Sequence, residues 1–387
     1  MLVRKVCEEM IHLDESKIMM FSSVHPYQDA RIFHKEAVTL AQYYHIDFYG
    51  VGSGPAEIKN NLRISLLPKR SRLSRYKNIL ELRKQIKKSS AKFYHFHDPE
   101  LLLLVPFIQR NKKGAKIIYD MHENFPAAIQ NKSWIPKPFR RVLSLFIGKG
   151  ERHYLKKLDG LIFAEKSYSK HYVNINVKKV DIYNFPTRVD GNHHVVTQVK
   201  GRPLRLIYIG RIAAVRGVFE MLEAVSQLTR EGIAVELLLI GESEQNVLQE
   251  IISFIEVNEL QNHVDYKPYI NYENIWEYYF EADAGICLLH PVPNYTDSLA
   301  TKIFEYMAAS LPMIVSDFPI WKQLMDENKC GMAVCPRNID DIKKSVSILL
   351  DDSLRIEMGR NGRNNYEKKY NWEIEGKKLV NFYKTLR

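Results

Sequence analysis

The feature that most constrains the fold of this chain is a repeated alternation of short apolar runs with amphipathic stretches of helical period. The apolar runs are rich in Val, Ile and aromatic residues and have the length of β-strands. Because such alternation is typical of parallel sheets covered by helices, it predicts an α/β fold. The predicted strands are 17–24, 46–52, 62–68, 92–98, 116–122, 160–165, 180–185, 204–210, 235–241, 264–269, 284–289, 312–317 and 331–336.

The chain is long enough for two domains. It has 387 residues with 45% apolar content, which exceeds what one ordinary hydrophobic core organises. The polar, strandless stretch 186–203 separates two copies of the strand and helix pattern. We therefore predict two doubly wound parallel-sheet domains, 1–195 and 196–370, with a helix at 371–387 that packs back on the N-terminal domain.

The cysteines and the hydropathy of the chain indicate where in the cell the protein is expected. The four cysteines form no C-x-x-C pair and show no metal-ligand spacing, which favours a reducing cytoplasm. The first 17 residues carry acidic side chains and no long apolar core, and apolar runs elsewhere are only of strand length. We expect neither export nor a membrane span.

Positive charge is concentrated in the first half of the chain. Residues 1–200 carry a net charge of +17 and residues 201–387 carry −6, and the run 69–92 has ten basic side chains and one acid, Glu81. Three interpretations remain open for this run: a solvated helix face, a surface that docks anionic lipid, or a nucleic-acid contact.

Polar side chains cluster where strands of the first half end, and ligands of open parallel sheets bind at the carboxyl ends of strands. A metal site is one interpretation of the histidines, but no second histidine pair at a suitable spacing follows, so we predict none. Satisfied structural histidines are a second interpretation, especially for His95. His122 ends a strongly apolar strand between Asp120 and Glu123, so we predict a functional role for it. The candidates on this side are His25, Asp29, Arg31, His97, His122 and Glu123.

Two arginines follow the first strand of the second half. In the segment GRIAAVRG, Arg211 comes directly after a glycine at the strand end, and Arg216 comes just before a helical pattern. Two guanidinium groups that converge near a helix N-terminus bind a diphosphate well. Surface arginines without a ligand are the alternative.

A further candidate site lies in the stretch DSLATKIFE, where two acids, Asp297 and Glu305, flank the start of a helix. The backbone amides near the helix start would face a bound anion. Glu305 would lie among apolar neighbours and need a hydrogen-bonding partner, either ribose hydroxyls or Lys302. The remaining candidates of this stretch are Ser298, Leu299, Ala300, Thr301 and Lys302.

These motifs together resemble the retaining glycosyltransferases of family 4, which have the two-domain GT-B fold with two Rossmann-like domains facing a cleft. Three segments carry the resemblance: the two acids separated by seven residues at 297–305, the glycine-arginine segment at 210–216, and the sequence YDMHE at 119–123. The opening strand and helix, SVHPYQDARIFHKEA, are similar to those of bacterial surface-polysaccharide members. Three departures exist: Asp297 where Glu is commoner, Arg216 where Lys is commoner, and no glycine pair after the first strand.

The resemblance implies specific roles. Glu305 would bind the nucleotide ribose and Asp297 the hydroxyls of the donor sugar, while Arg211 and Arg216 would hold the diphosphate. His122 would reach the donor sugar from the other side of the cleft. The acceptor side would be formed by His25, Asp29, Arg31, His97 and Glu123. It further implies a metal-independent hexosyltransferase with a UDP- or GDP-linked sugar as donor and no cofactor.

The charge asymmetry suggests an acceptor. We expect a saccharide linked to a polyprenyl diphosphate, approached by a peripheral enzyme that docks on the inner face of the plasma membrane through residues 69–92, and no nucleic acid. Two rival functions remain open. One is a nucleotide-sugar epimerase or phosphorylase of the same shape, and the other is a non-catalytic protein that binds lipid or nucleic acid on a degenerate scaffold.

Overall fold

The structure, a computed structural model, describes residues 14–123, 125–130, 136–189 and 201–387. It divides the chain into two compact units. Unit 1 contains Met1–Asn184 and Glu373–Arg387, and unit 2 contains Phe185–Trp372. The predicted boundary between residues 195 and 196 lies within 190–200, outside the described residues.

Unit 1 contains an eight-stranded sheet in the order β3-β4-β2-β1-β5-β6-β7-β8. Its strands are β1 (Asp14–Pro26), β2 (Tyr44–Val51), β3 (Glu57–Lys59), β4 (Leu62–Leu67), β5 (Phe93–Phe96), β6 (Lys116–Met121), β7 (Gly160–Phe163) and β8 (Lys178–Asp181). Every pairing is parallel except that of the edge strand β3 with β4. The central strands β5 and β7 are fully buried, as strands of a parallel sheet covered on both faces are.

Helices cover the sheet of unit 1. They are α1 (Val38–Ala41), which continues a π-helical turn at Ile32–Ala37, α2 (Tyr76–Lys88), α3 (Val105–Asn111), α4 (Phe125–Gln130), α5 (Lys137–Leu155), α6 (Lys166–Ser169) and the C-terminal α15 (Trp372–Thr385). In α2, Leu82 and Ile86 are spaced one turn apart and are fully buried. That spacing places both on one helix face, which packs on the core around Phe21 and Phe96.

Unit 2 contains a six-stranded, wholly parallel sheet in the order β11-β10-β9-β12-β13-β14. Its strands are β9 (Leu204–Ile209), β10 (Val235–Ile240), β11 (Val264–Lys267), β12 (Ala284–Cys287), β13 (Met313–Ser316) and β14 (Gly331–Val334). Its helices are α7 (Val218–Arg230), α8 (Gln245–Val257), α9 (Ile275–Glu281), α10 (Pro293–Thr296), α11 (Thr301–Ala308), α12 (Pro319–Asn328), α13 (Ile339–Ile348) and α14 (Asp352–Lys368).

All thirteen predicted strands are confirmed, with ends that differ by up to four residues. The sequence analysis missed β3, whose three residues are all exposed, because a short polar edge strand has no apolar alternation to reveal it. Strand order reverses between β1 and β5 in unit 1 and between β9 and β12 in unit 2. The crevice at such a reversal is where α/β sheets bind ligands, so each unit has one such position.

Within the part of the chain that the structure describes, helices are too short or too polar to cross a membrane.

Candidate functional site

The candidate site of unit 2 lies at the carboxyl ends of β9 and β12. Gly210 follows β9 with φ +141°, and a Cβ at this position would lie 2.6 Å from Nζ of Lys302. Gly217, with φ +78°, ends the short 3₁₀ turn Ala214–Arg216 and packs against the backbone of Leu288. Glycine is therefore required at both positions, because any side chain would meet strain and a neighbour. The turn that carries Arg216 is thus held against the segment that follows β12.

Two cations of this site lie near the Tyr208 side chain, each over a tyrosine ring. Nζ of Lys302 lies 4.8 Å from the centroid of the Tyr208 ring, and the Arg216 guanidinium lies 5.7 Å from the centroid of Tyr295. Arg216 also interacts with Tyr208, so both cations lie beside the end of β9. Aromatic rings hold cations by their faces without neutralising them, which leaves both charges for an anion.

The predicted diphosphate residue Arg211 differs from Arg216 in its environment. Its side chain is exposed, and Nη2 lies 2.5 Å from Oε1 of Glu244. The backbone carbonyl of Arg211 accepts a hydrogen bond of 3.0 Å from the Tyr208 hydroxyl, which fixes the strand end that carries it. An exposed ion pair of this kind is weak, so an anion can compete for the Arg211 guanidinium.

The segment between the two acids forms the start of α11. Asp297 is exposed, and Ser298, Leu299, Ala300 and Thr301 are half-buried. Indole Nε1 of Trp321 donates a hydrogen bond of 2.6 Å to the carbonyl of Ser298. The prediction that the amides from 298 onwards all face a ligand needs one correction, because the Ser298 amide donates to the carbonyl of Tyr295. The Ile303 amide, further along the helix start, also donates within the protein, to the carbonyl of Ala300, and anion binding by the amides of residues 299–301 stays a prediction.

Glu305 lies in the second turn of α11 and is 8% exposed. Its Oε2 accepts a hydrogen bond of 2.7 Å from the hydroxyl of Tyr279, on α9. Lys302 does not neutralise it, because the ammonium of Lys302 lies over Tyr208. The structure thus holds one carboxylate oxygen of Glu305 with a neutral donor, and the second oxygen remains able to accept from ribose hydroxyls.

The candidate site of unit 1 borders a cavity of about 660 Å³ at the carboxyl ends of β1, β5 and β6. Its lining includes four of the predicted residues: His25, His97, His122 and Glu123. The opposite wall is apolar. The other lining residues are Val24, Arg72, Arg75, Asp98, Pro99, Glu100, Tyr119, Phe125, Ile129, Leu143 and Ile147.

His25 forms an ion pair with the buried Asp98. Its Nδ1 lies 2.8 Å from Oδ1 of Asp98, whose other oxygen accepts from the hydroxyl and amide groups of Ser22 and Ser23. Burial alone would raise the pKa of Asp98, but these donors and His25 hold it at about 2. Burial likewise lowers the pKa of His25, and Asp98 reverses that effect and raises it above 6.5. His25 therefore presents to the cavity a partly exposed ring whose charged form is stabilised by Asp98.

His122 is oriented by the fully buried Asp120. Its Nε2 lies 2.9 Å from Oδ2 of Asp120, and Nδ1 of His97 lies 3.3 Å from the same oxygen. Because a carboxylate only accepts, the ring nitrogen of His122 that faces it carries the proton. In the neutral ring Nδ1 is then unprotonated. Burial lowers the pKa of His97 to about 4, so His97 is neutral near pH 7.

Arg31 has a different position from the one predicted. Its guanidinium is buried and binds Asp120 through Nε and Nη2 at 3.0 Å each, and Nη1 donates to the carbonyl of Ile182. Asp29, also predicted on the acceptor side, accepts hydrogen bonds from the amides of Arg31 and Ile32. Both residues therefore stabilise the interior and the helix start of unit 1, in place of the acceptor contacts predicted for them.

A buried group of four possible metal ligands surrounds Arg31. The ligand atoms of Glu36, His95, His97 and Asp120 lie within 4.8 Å of one another. Nε of Arg31 is 3.0 Å from Oε1 of Glu36 and from Oδ2 of Asp120. The guanidinium already supplies the positive charge that a metal ion would bring, and it holds the pKa of Asp120 well below its usual range against the effect of burial. Arg31 thus pairs with the two carboxylates of the group, while Oε2 of Glu36 and Nε2 of His95 and of His97 are buried without a hydrogen-bond partner among the described residues.

Several residues of these sites were not found from the sequence. Tyr279, which binds Glu305, is distant from it in the chain, and no local pattern marks it. Arg72 and Arg75 were recognised only as charge, although both line the cavity. Asp98 carried a signal, since it follows two histidines at a strand end, but its bonds to Ser22 and Ser23 depend on the pairing of β1 with β5.

The chain is similar to known proteins in the sequence of its second half and in its fold. Residues 190–365, less than half of the chain, match the family model described as glycosyl transferases group 1. The match contains Arg211, Arg216, Asp297 and Glu305. A capsular polysaccharide biosynthesis glycosyltransferase, CapM, of Staphylococcus aureus is 25% identical over 184 residues, which cover 46% of this chain and 45% of that protein. The chain spans about half the length of the curated relatives it matches.

Solved structures resemble the whole chain. A sucrose-phosphate synthase from Thermosynechococcus elongatus superposes with a TM-score of 0.73 at 17% identity, covering 96% of this chain and 99% of that one. HepE of Anabaena, determined in complex with UDP-glucose, superposes with a TM-score of 0.70 at 10% identity, covering 95% and 99%. At these identities the likeness shows the fold, which is GT-B, as the sequence analysis predicted.

Proposed function

We propose that this protein is a glycosyltransferase that moves a hexose from a nucleotide diphosphate sugar to a saccharide acceptor with retention of anomeric configuration. The observation that carries the proposal is the convergence of Arg216 and Lys302 beside Tyr208 at the strand reversal of unit 2, next to the start of α11. We propose that these two cations bind an anion, and Glu305 lies in the same helix as Lys302 and is a hydrogen-bond acceptor. A diphosphate linked to a ribose matches both features.

The proposed chemistry follows from these charges. When the bond between the anomeric carbon and the diphosphate breaks, negative charge develops on the departing phosphate oxygens. Fixed cations on that side lower the barrier without a metal ion. The acceptor hydroxyl forms the new bond from the face that the leaving group vacates, and its proton passes to a phosphate oxygen of the diphosphate. Asp297 and Glu305 act as binding groups in this scheme, unlike the acid and base pair of a glycosidase.

The proposal for unit 1 concerns the acceptor and the transferred sugar. His122, oriented by Asp120, is proposed to contact the transferred sugar, as the resemblance implies. The acceptor would bind in the cavity bordered by His25, His97 and Glu123, where carboxylates and imidazoles can bond to sugar hydroxyls. The apolar wall of Phe125, Ile129, Leu143 and Ile147 suits a lipid-linked saccharide, for which we keep the prediction of a polyprenyl diphosphate.

The likeness to a capsular polysaccharide biosynthesis glycosyltransferase supports a role in surface-polysaccharide synthesis. We propose that the protein acts at the inner face of the plasma membrane. The basic run 69–92 is proposed to draw the protein to that anionic surface. An epimerase or phosphorylase of the same fold would use the donor site equally well. Transfer is favoured because unit 1 adds a separate large cavity with polar and apolar walls.

The decisive experiment is binding and turnover of nucleotide sugars by the whole chain. Isothermal titration with UDP, GDP and UMP should show that a diphosphate binds more tightly than a monophosphate, and UDP- or GDP-sugars should be hydrolysed slowly without acceptor. Arg205→Ala, at the opposite end of β9 from Arg211, serves as the matched control. Equal affinity for monophosphate and diphosphate would contradict the cation assignment, and binding without any hydrolysis or transfer would favour the non-catalytic alternative.

A further inference from the structure

Helix α5, Lys137–Leu155, has two faces of different character. On the inner face, Leu155 is fully buried, the Ser144 hydroxyl donates 2.7 Å to the carbonyl of Pro126, and Glu151 accepts 2.7 Å from the hydroxyl of Tyr172. The outer face is apolar yet exposed. Its four residues are Phe139 (65% exposed), Val142 (52%), Leu145 (69%) and Phe146 (70%).

Helical spacing brings these four side chains together. Phe139, Val142 and Phe146 follow the three- and four-residue spacing that aligns side chains along one face, and Leu145 extends that face by one position. Isolated exposed apolar residues are ordinary, but a contiguous patch with two phenylalanines marks an interaction surface. More than half of each of the four side chains that define this outer face of α5 is exposed.

The charges of α5 indicate what this face contacts. Its exposed or half-buried charged groups at Arg140, Arg141, Lys149 and Arg152 are all basic. The acid of the helix, Glu151, is 5% exposed and points to Tyr172. Two copies of the chain packed face to face would bring like charges together, whereas an anionic lipid surface complements both the rings and the bases.

The same helix borders the cavity of unit 1. Leu143 and Ile147, on the flank of the outer face, line that cavity together with His25 and His122. Arg72 and Arg75 line the cavity as well. The residues that follow them in the chain are exposed apolar ones, Leu73 at 92% and Tyr76 at 55%. Helix α5 and the segment 72–76 each combine exposed apolar side chains with basic ones, and both border the cavity of unit 1.

We infer that the outer face of α5 inserts its apolar side chains among the headgroups of an anionic bilayer and places the cavity of unit 1 at the lipid surface. This surface lies outside the basic run 69–92 and contributes a hydrophobic attachment that charge alone does not provide. Only the use of the surface to deliver a lipid-linked acceptor rests on the proposed function. The attachment itself is independent of the reaction.

The test compares binding of the whole chain to vesicles of phosphatidylcholine with and without phosphatidylglycerol. Phe139→Ser with Phe146→Ser should weaken binding to the anionic vesicles by about tenfold or more for each ring removed. Tyr269→Ser, which removes a ring 62% exposed in unit 2, is the matched control and should bind as the parent does. Because both phenylalanines are exposed, thermal melting should be unchanged.

A second measurement reads insertion directly. The indole introduced by Phe146→Trp should be quenched by brominated lipids in anionic vesicles, and that introduced by Tyr269→Trp should not. Unaltered vesicle binding by the double variant, or an unquenched indole at position 146, would overturn the inference. So would a double variant that loses self-association in light scattering yet still binds vesicles, which would assign the face to a second copy. A parent chain that binds vesicles but no nucleotide diphosphate would overturn the proposed function and leave this surface standing.

Discussion

The hydroxyl of Tyr279 donates a hydrogen bond of 2.7 Å to Oε2 of Glu305, and neither side chain is more than 8% exposed. A carboxylate placed this deep needs donors, and a single tyrosine satisfies only part of its accepting capacity. Tyr279 therefore fixes the orientation of Glu305 and leaves the second oxygen for a ligand. This division of the two oxygens connects the interior of unit 2 to nucleotide binding.

Glu305→Gln should weaken binding of a nucleoside diphosphate by about tenfold or more while the fold is retained, because the amide keeps the shape of the side chain but loses its charge. Tyr279→Phe should weaken it less, since the carboxylate stays and only its orientation is freed. Isothermal titration measures both, and Tyr278→Phe on the same helix is the control. If Glu305→Gln bound the diphosphate as the parent does, the ribose assignment would be lost.

Arg211→Ala and Arg216→Ala should each reduce turnover by about a hundredfold to a thousandfold, since each guanidinium faces the charge that develops on the diphosphate. Arg205→Ala, whose salt bridge to Glu236 lies at the other end of β9, should leave turnover close to that of the parent. Steady-state rates with a saturating donor give the comparison. Full turnover in either of the first two variants would remove that residue from the proposed mechanism.

Turnover should survive a chelator. The scheme assigns the charge of the departing diphosphate to Arg211, Arg216 and Lys302, so EDTA should change the rate little. Rates measured with EDTA, and again after Mg²⁺ or Mn²⁺ is added back, provide the test. Abolition by EDTA with recovery on adding either ion is the result that contradicts the arginine scheme.

The pair of His25 and Asp98 should make stability depend on pH. The folded-state pKa of His25 lies above 6.5, so its contribution is fully present below that value and is lost as pH rises through the raised pKa. The pKa of Asp98 is about 2 against a usual 3.8, so its contribution is present above 3.8 and is lost as pH falls towards 2. Asp29 and Asp120 add to the field that favours the charged ring of His25.

The urea midpoint of unfolding should accordingly fall as pH rises above about 6.5 and through the raised pKa of His25, and His25→Gln should remove that part of the dependence. His45→Gln, which replaces an exposed histidine on β2, should not. A pH profile of His25→Gln identical to that of the parent would show that the ion pair contributes nothing to stability.

Charge reversal in the basic run should weaken attachment to anionic vesicles. Arg72, Arg75, Arg83 and Lys87 changed to Glu should reduce sedimentation with them, and binding by the parent should weaken as salt rises. Because Arg72 and Arg75 line the cavity, the pair Arg83 and Lys87 is also changed alone, which separates attachment from acceptor binding. Equal sedimentation of the parent with neutral and anionic vesicles would support the alternative interpretation, in which the run 69–92 is a solvated helix face.

The order of strands and helices, the two-domain division and the candidate residues at strand ends were all open to prediction from the sequence. Apolar periodicity is a local property, and it records which residues a parallel sheet buries. His122, Arg216 and Glu305 could be selected in the same way, because a strand end or a helix start is visible in a short window of residues. The GT-B fold, which the resemblance to known glycosyltransferases implied, is confirmed.

The partners of those residues were decided only by the tertiary structure. The sequence makes Arg31 a candidate ligand-binding residue after a strand end. In the structure, its guanidinium binds Asp120, 89 residues away in the chain. Glu305 meets Tyr279, and the arginines of the run 69–92 meet the cavity that α5 borders. The physical reason is that burial penalises an unpaired charge, and the group that relieves the penalty is set by which strands pair and which helices pack, a long-range outcome that no local pattern of residues records.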